Sequence, residues 1–323
     1  MTKKFRAVDY IAAFIIILSI NFALPRLMPG DPINAIYGDE ANIAMTPELK
    51  SKLIKRFALD QPLHRQFLTY LSRLCVFDLG YSYYYKTPVI DVIIGSLPWT
   101  LLLVIPALFI SSVLGFILGV ESGYRRGSPI DKILLSTLML FQGFPDFFAG
   151  ILLLLLFSVT LSIMPLSGAH TTYSGLSGFS LVIDIVHHMA LPCMALVLAR
   201  FSSIYLLTRN SVISTLKEAF ILTARAKGCF ERAIMYRHAG RNSLLPVVTA
   251  TGLQLTHLIT GALFIEIVFA YPGVGGLLYN SLMTRDYPLM QGILLIITII
   301  VLTVNFLADL LYQKLDPRIS HAH

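Results

Sequence analysis

Asp184 and His188 stand four residues apart, a spacing that sets two metal ligands on one face of a helix, and His187 lies beside them. Together with Asp146, the two histidines have the residue types of a proton-transferring site within a membrane. The competing reading is a polar, non-ligating cluster at the entry to a helix, ahead of Pro192. His321 and His323 are too close to the end of the sequence to define a metal site, and no metal centre is assigned. Asp146, Arg200 and Glu266 each interrupt a long apolar run, where an ionisable side chain is costly and marks a functional position by default. They are the candidates for lining a pathway. Each also has a plainer reading. Asp146, preceded by Pro145, would sit at the positive end of a helix dipole; Arg200 would snorkel toward the inner face; Glu266 would brace the turn Tyr271-Pro272-Gly273. Cys75, Cys193 and Cys229 show no paired spacing and read as small apolar fillers.

Several chemistries have no signature here. No G-x-x-x-x-G-K-[ST] run exists to cradle nucleotide phosphates, and neither G-x-S-x-G nor H-E-x-x-H occurs. The chain is therefore expected not to be an enzyme and to carry no cofactor of its own.

Composition says what positions these residues. Of 323 residues, 56% are hydrophobic and only 13% charged, and mean hydropathy is +0.73. Soluble domains carry about 25% charged residues, so disorder and an ordinary cytosolic enzyme are excluded and an integral membrane protein remains. The net charge of +7 resides mostly in short loops beside apolar runs, a topology signal and not a nucleic-acid groove. About 20 apolar residues cross a bilayer core. Six regions qualify: residues 8–27, 98–120, 130–163, 186–208, 244–270 and 287–312. The third is too long for one straight helix, and Pro145 in Gln142-Gly143-Phe144-Pro145-Asp146 should kink or break it. Lys3, Lys4 and Arg6 resemble the start of a signal peptide, but Leu24-Pro25-Arg26 offers no small-residue cleavage site, which makes the first run an uncleaved helix.

Basic residues orient the spans. Lys3, Lys4 and Arg6, then Arg125, Arg126 and Lys132, then the loop at 209–243, then Lys314 and Arg318 fall on one side, whereas the short opposite loops hold only Arg285. Both termini are expected to be cytoplasmic. The long loop after the first helix goes outside, since long loops translocate largely regardless of charge. Within it, Thr46 and Pro47 start one amphipathic helix carrying Leu49, Leu53, Ile54 and Phe57, and a second is expected over 62–76.

The inner loop at 209–243 is long, lacks proline and runs from Leu216 to Lys227 in good helix formers before Gly228 stops it. A second helical stretch covers 231–238. Charge alone fits a solvated basic loop, but the small Ala219, Ala224 and Ala226 around Arg225 and Lys227 suit close docking.

Ala224-Arg225-Ala226-Lys227-Gly228, followed by His238-Ala239-Gly240-Arg241-Asn242-Ser243-Leu244-Leu245-Pro246, resembles the coupling loop of binding-protein-dependent ABC-transporter permeases, in the dipeptide/oligopeptide/nickel permease family. Further similar segments follow the family's order: Met28-Pro29-Gly30-Asp31-Pro32, Leu59-Asp60-Gln61-Pro62, Asp78-Leu79-Gly80, Glu266 to Gly275, Arg285-Asp286-Tyr287-Pro288 and Asp316-Pro317-Arg318. The chain departs from the pattern at Leu222-Thr223-Ala224, where the general motif has Glu-Ala-Ala. It departs also at Gly240, where relatives carry leucine, and at Leu206, where many carry arginine.

The resemblance implies an all-α integral membrane protein of the type I ABC importer permease fold. It would have six transmembrane helices and a helical extracytoplasmic insertion after the first. The divisions are 1–27 for the tail and first helix, 28–97 for the insertion, 98–313 for a five-helix core and 314–323 for a cytoplasmic tail. The chain would form half of a pathway for short peptides, or alternatively for nickel or another metal chelate. Glu218, Ala219, Ala224, Arg225, Ala226, Lys227 and Gly228 would contact one of two cytoplasmic ATPase subunits or domains, which hold ATP and Mg. A second homologous permease and an extracytoplasmic substrate-binding protein would complete the assembly in the inner or plasma membrane, with no role for nucleic acid. Two readings of other classes are an intramembrane enzyme built on Asp146, His187 and His188, and a structural membrane scaffold.

Overall fold

Long apolar runs without water to bond their backbones are driven into helices, which satisfy every peptide group internally. The computed structural model describes residues 3–27 and 61–315, and these are helical apart from loops and one isolated bridge between Tyr81 and Pro88. In chain order the helices are α1 (Lys3–Leu27), α2 (Leu63–Cys75), α3 (Val89–Tyr124), α4 (Pro129–Gln142), α5 (Asp146–Leu153), α6 (Phe179–Thr215), α7 (Ala219–Ala226), α8 (Arg241–Val268), α9 (Val274–Met283) and α10 (Tyr287–Leu315). A π-helical stretch, Leu154–Thr160, extends α5, and a second, Ala233–Gly240, leads into α8.

Among the described residues, three helices are long and apolar enough to cross a membrane: Val89–Tyr124, Phe179–Thr215 and Tyr287–Ala308. The number rises to five if each of two bent pairs is one span. One pair is α4 with α5 and its extension, bent by 105°, and the other bends by 44° within the run from Ala233 to Val268. In α1 the apolar stretch is shorter, Tyr10–Leu24. The helix expected over 62–76 is α2, whereas the one expected from Thr46 lies outside the described residues. The span expected from residue 98 begins earlier, at Val89, so the last residues assigned to the insertion are the first turns of α3.

The chain forms two compact units. One joins the chain up to Pro98 with Gly273–Leu302. Here Phe22 of α1 meets Phe67 edge-on at 5.0 Å, and Asn21 Nδ2 donates to the Gln291 carbonyl at 3.0 Å. Val89 and Ile93 at the start of α3 pack with Val274 and Leu277 of α9 and Leu289 and Ile293 of α10. Asp286 opens α10 as its cap, accepting from Leu289 N at 3.2 Å while also binding Tyr84 N at 3.1 Å and Ser82 Oγ at 2.5 Å.

The other unit joins Trp99–Pro272 with the chain from Thr303. In it α3 packs closely on α6 through Gly115, Gly119 and Gly123 along one face of α3. A Cβ at Gly119 would stand 2.6 Å from the Thr208 Cβ, and one at Gly115 2.8 Å from Ile204 Cγ2. Gly150 does the same for α5 against Ile265 of α8. On its other side α8 meets α10, where Thr256 Oγ1 donates to Asn305 Oδ1 at 2.8 Å.

Candidate functional site

Helix α7 is two turns long, too short to persist by itself, and its position is fixed from both ends. Glu218 precedes it in an extended conformation, and the residues from Leu216 that the sequence placed in the helix form a turn instead. At the other end Gly228 has φ +74°, its N–H donates to the Arg225 carbonyl at 2.9 Å, and Cys229 N donates to Ala224 O at 3.2 Å. This pair of bonds is the Schellman stop, which requires the left-handed region at the glycine. No atom crowds a Cβ there, so the requirement is conformational. Ile221 and Ala224 bury themselves among Val120 of α3, Val212 of α6 and Ile234, Met235 and Ala239. Glu218, Ala219, Arg225, Ala226, Lys227 and Gly228 remain exposed. So do Phe220, Leu222 and Phe230, the last 85% exposed, an apolar element on the knob that sequence reasoning missed. The result is a short peg, rigidly seated, whose outward surface mixes apolar and basic groups.

A polar lock underlies the same region, and it too was missed. Ser128 and Pro129 start α4, with Asp131 N donating to Ser128 Oγ at 3.2 Å and Gly127 N donating to Asp131 Oδ2 at 2.8 Å. This is the reciprocal logic of a capping box. Asp131, 2% exposed, also takes a forked pair from Arg209 of α6, Nε at 2.7 Å and Nη2 at 2.9 Å. Ser122 of α3 donates to the same carboxylate, and its Oγ lies 2.5 Å from the Tyr205 hydroxyl. Three helices thus meet at one carboxylate. The Ser-x-x-Asp pattern at 128–131 was the available signal for Asp131; nothing in the sequence pointed to Arg209 as its partner.

Farther along α6, Arg200 turns toward two neighbouring helices. It pairs with Asp146, the first residue of α5, and its Nη2 also donates to the His257 carbonyl of α8 at 3.3 Å. Asp146 occupies the helix start that its plainer reading gave it, and it also faces a partner of opposite charge. Gly261 of α8 makes room for it, since a Cβ there would lie 2.5 Å from Asp146 Oδ2. The two side chains stay 19% and 23% exposed.

The remaining candidates are accounted for locally. Asp184 accepts from Thr171 N at 2.6 Å and Thr171 Oγ1 at 2.8 Å, and His188 Nδ1 bonds the Asp184 carbonyl at 2.9 Å. His187 Nε2 lies 3.3 Å from the Ile163 carbonyl. Among the described residues no three His, Cys, Asp or Glu side chains gather as a metal site, and no hydrogen bond or ion pair links Asp146 to either histidine. Glu266 is fully buried, and its backbone carbonyl accepts from Tyr271 N at 2.8 Å. Tyr271 meets Trp99 edge-on at 6.0 Å; burial, with Glu266 nearby, pushes its hydroxyl up to about 12.

Residues 111–321 match the family model described as binding-protein-dependent transport system inner membrane component. The chain is 34% identical over 326 residues to the di/tripeptide transport system permease protein DppB of Pseudomonas aeruginosa, covering 96% of each. It is 34% identical to the dipeptide transport system permease protein DppB of Escherichia coli K12, again over 96% of each. Against the oligopeptide transport system permease protein AppB of Bacillus subtilis the identity is 32%, over 94% of this chain and 93% of the other. Among solved structures, a crystallised amino acid ABC transporter superposes with TM-score 0.53 at 14% identity, over 70% of this chain and 94% of that one. An inward-facing MetNI methionine ABC transporter gives the same TM-score at 16% identity, over 70% and 96%. At these identities the structural likeness concerns the fold.

Proposed function

This chain belongs to the family of binding-protein-dependent transport system inner membrane components, and from that premise we propose that it is the permease subunit of an ATP-driven importer of short peptides. It is a multi-pass membrane protein that forms half of the translocation pathway. The relatives' names favour peptides over a nickel or other metal chelate as cargo. The full assembly has a second homologous permease, two cytoplasmic ATPase subunits or domains that bind ATP and Mg, and an extracytoplasmic binding protein that docks on the outer face. In this reading the chain has six spans, α1 included, with both termini in the cytoplasm and the segment after α1 outside. The basic loops of the sequence support this orientation.

The observation that carries the reading is the peg. A nucleotide-driven motion can be passed on only by a stiff connection, because a flexible one would absorb it. Helix α7 meets this condition through Ile221 and Ala224, seated among residues of α3, α6 and the segment before α8. Its exposed face, from Glu218 to Gly228, is the surface that enters the ATPase. Phe220 and Leu222 supply apolar area and Arg225 and Lys227 supply charge. The intramembrane enzyme loses ground because Asp146 and the two histidines have separate partners.

Replacing residues 219–228 by a glycine-serine tether of equal length tests the proposal in proteoliposomes holding the complete transporter. The expected result is a chain that inserts in the membrane but supports no ATP-driven peptide uptake. Undiminished uptake would restore the scaffold reading.

A further inference from the structure

We propose that Arg200 recognises the free α-carboxylate of a peptide passing through the membrane, with Asp146 as the positioning residue that holds its guanidinium. The proposal rests on the reading of the chain as a peptide permease and adds the chemical group that the pathway engages.

Three observations point to a surface here that water or a partner subunit, and not lipid, meets. The α4–α5 pair breaks by 105° about 21 Å from the start of α4, and residues 142–145 at the break are exposed. Irregular backbone at membrane depth is tolerated only where protein covers it or water reaches it, so lipid does not face this break. The Asp146–Arg200 pair beside the break is also partly open, and charged side chains inside a membrane face a bundle interior or an aqueous cavity. Helix α8, against which the pair rests, exposes His257 and Thr260 near its middle, on the same side one turn apart. The three features adjoin, because Arg200 bonds the His257 carbonyl and Gly261 abuts both members of the pair.

The chemistry of the surface follows from how little of Arg200 is used. Both of its hydrogen bonds leave from Nη2, and Nε is shielded from solvent with no acceptor. The nitrogen left for a ligand is Nη1, since the shielded Nε is out of reach and Nη2 is taken, and the natural complement of a guanidinium nitrogen is an anionic oxygen. An α-carboxylate is the one anion that every unmodified peptide presents whatever its side chains. A residue that grips it serves a pathway that must pass many sequences. Asp146 neutralises Arg200 while the pathway is empty and, by taking Nη2, leaves Nη1 as the unused nitrogen.

The test uses the full chain assembled with its partner subunits, without binding protein, and carrying His257→Cys. The unsubstituted chain is labelled in parallel to account for Cys75, Cys193 and Cys229. An anionic methanethiosulfonate is expected to modify the introduced thiol several-fold faster than a cationic one of equal size. Trialanine should slow the modification by about tenfold, the size of one charge-assisted hydrogen bond, and trialanine amide should not. Arg200→Gln removes both the charge preference and the protection. Arg200→Lys keeps the preference but weakens the protection, because a flexible ammonium does not hold Asp146, the His257 carbonyl and a ligand in one fixed plane; it stands in for Arg200→Gln if that variant does not assemble. Absence of labelling at position 257, equal protection by acid and amide, or protection surviving without Arg200 would each overturn the proposal. Trialanine uptake by the unsubstituted transporter with its binding protein separates the two readings. Uptake without protection removes the role of Arg200 alone, whereas failure to take up any peptide removes the permease reading beneath it.

Discussion

Helix α6 carries two arginines, each paired with an aspartate from the α4–α5 hairpin, and the pairs differ in nearly every physical respect. Arg200 and Arg209 are nine residues apart, about two and a half turns, and therefore leave opposite faces of the helix. Arg209 commits two nitrogens to two oxygens of Asp131, whose carboxylate also takes Ser122 and Gly127. Arg200 commits one nitrogen to one oxygen of Asp146. Side-chain exposure is 12% and 3% in the first pair, against 19% and 23% in the second. A saturated, enclosed pair has nothing left to offer a ligand and can only hold helices together. A half-used, partly open pair holds little and is free to exchange partners. The same two residue types thus serve structure at one end of α6 and, on the present proposal, recognition farther along it.

The sharpest way to break this comparison is Arg209→Gln. It strands the Asp131 carboxylate at 2% exposure with only neutral donors. Removing one partner of a buried pair costs about 3–5 kcal/mol. The expected outcome is a large drop in the thermal unfolding temperature of the purified transporter, or loss of the chain from the membrane. A variant as stable as the parent would mean that the lock is ornamental and that the two pairs do not differ in kind.

A smaller effect is expected at the peg, which shares its underlying cluster with the locked end of α6 through Val120 and Val212. Gly228→Val must hold a β-branched residue at φ +74°, at a cost of about 1–2 kcal/mol. The strain falls on the Schellman stop and not on the core, so the chain should still assemble. ATP hydrolysis should continue while peptide uptake falls, a change read as the ratio of phosphate released to peptide accumulated. An unchanged ratio would show that the stop of α7 is not what makes the connection stiff.

How much of this was readable beforehand depends on the range of the forces involved. Local features were legible: Pro62 and Val76 bracket α2, and Gly228 ends α7, because turn chemistry acts over a few residues. The start of α3 was not. Gly95 and Ser96 read as loop ahead of a span starting at Pro98, and the packing of Val89 and Ile93 on α9 and α10 extends the helix back through them. The start of α7 was missed for the reverse reason: Leu216 to Glu218 have good helix propensity yet form a turn. The two arginines were the hardest. Taken singly, Arg209 counted as a topology charge and Arg200 as a snorkelling one, since partners 78 and 54 residues away leave no periodic trace. Exposed Phe220 and Leu222 were equally hidden, because an apolar residue in an amphipathic helix is read as core by default.

The smallest expected change in stability comes with the most specific change in behaviour, at Gly261. An alanine there puts its Cβ 2.5 Å from Asp146 Oδ2 and 3.4 Å from Arg200 Nη2. The crowded atom is the end of a side chain with 23% exposure, so it can swing aside, and no buried charge is stranded. A partly open pair with one bond between its members holds less than the enclosed one, and unfolding should shift by less than with Arg209→Gln. The displaced carboxylate would, however, stop neutralising Arg200. With His257→Cys as reporter, the anionic reagent should gain further on the cationic one, moving the preference in the direction opposite to Arg200→Gln. At the locked pair no such outcome is available, because displacing Asp131 would break four interactions that join three helices. If Gly261→Ala instead destabilised the chain as much as Arg209→Gln, the open pair would be a second lock, and recognition would have to be sought elsewhere on α8.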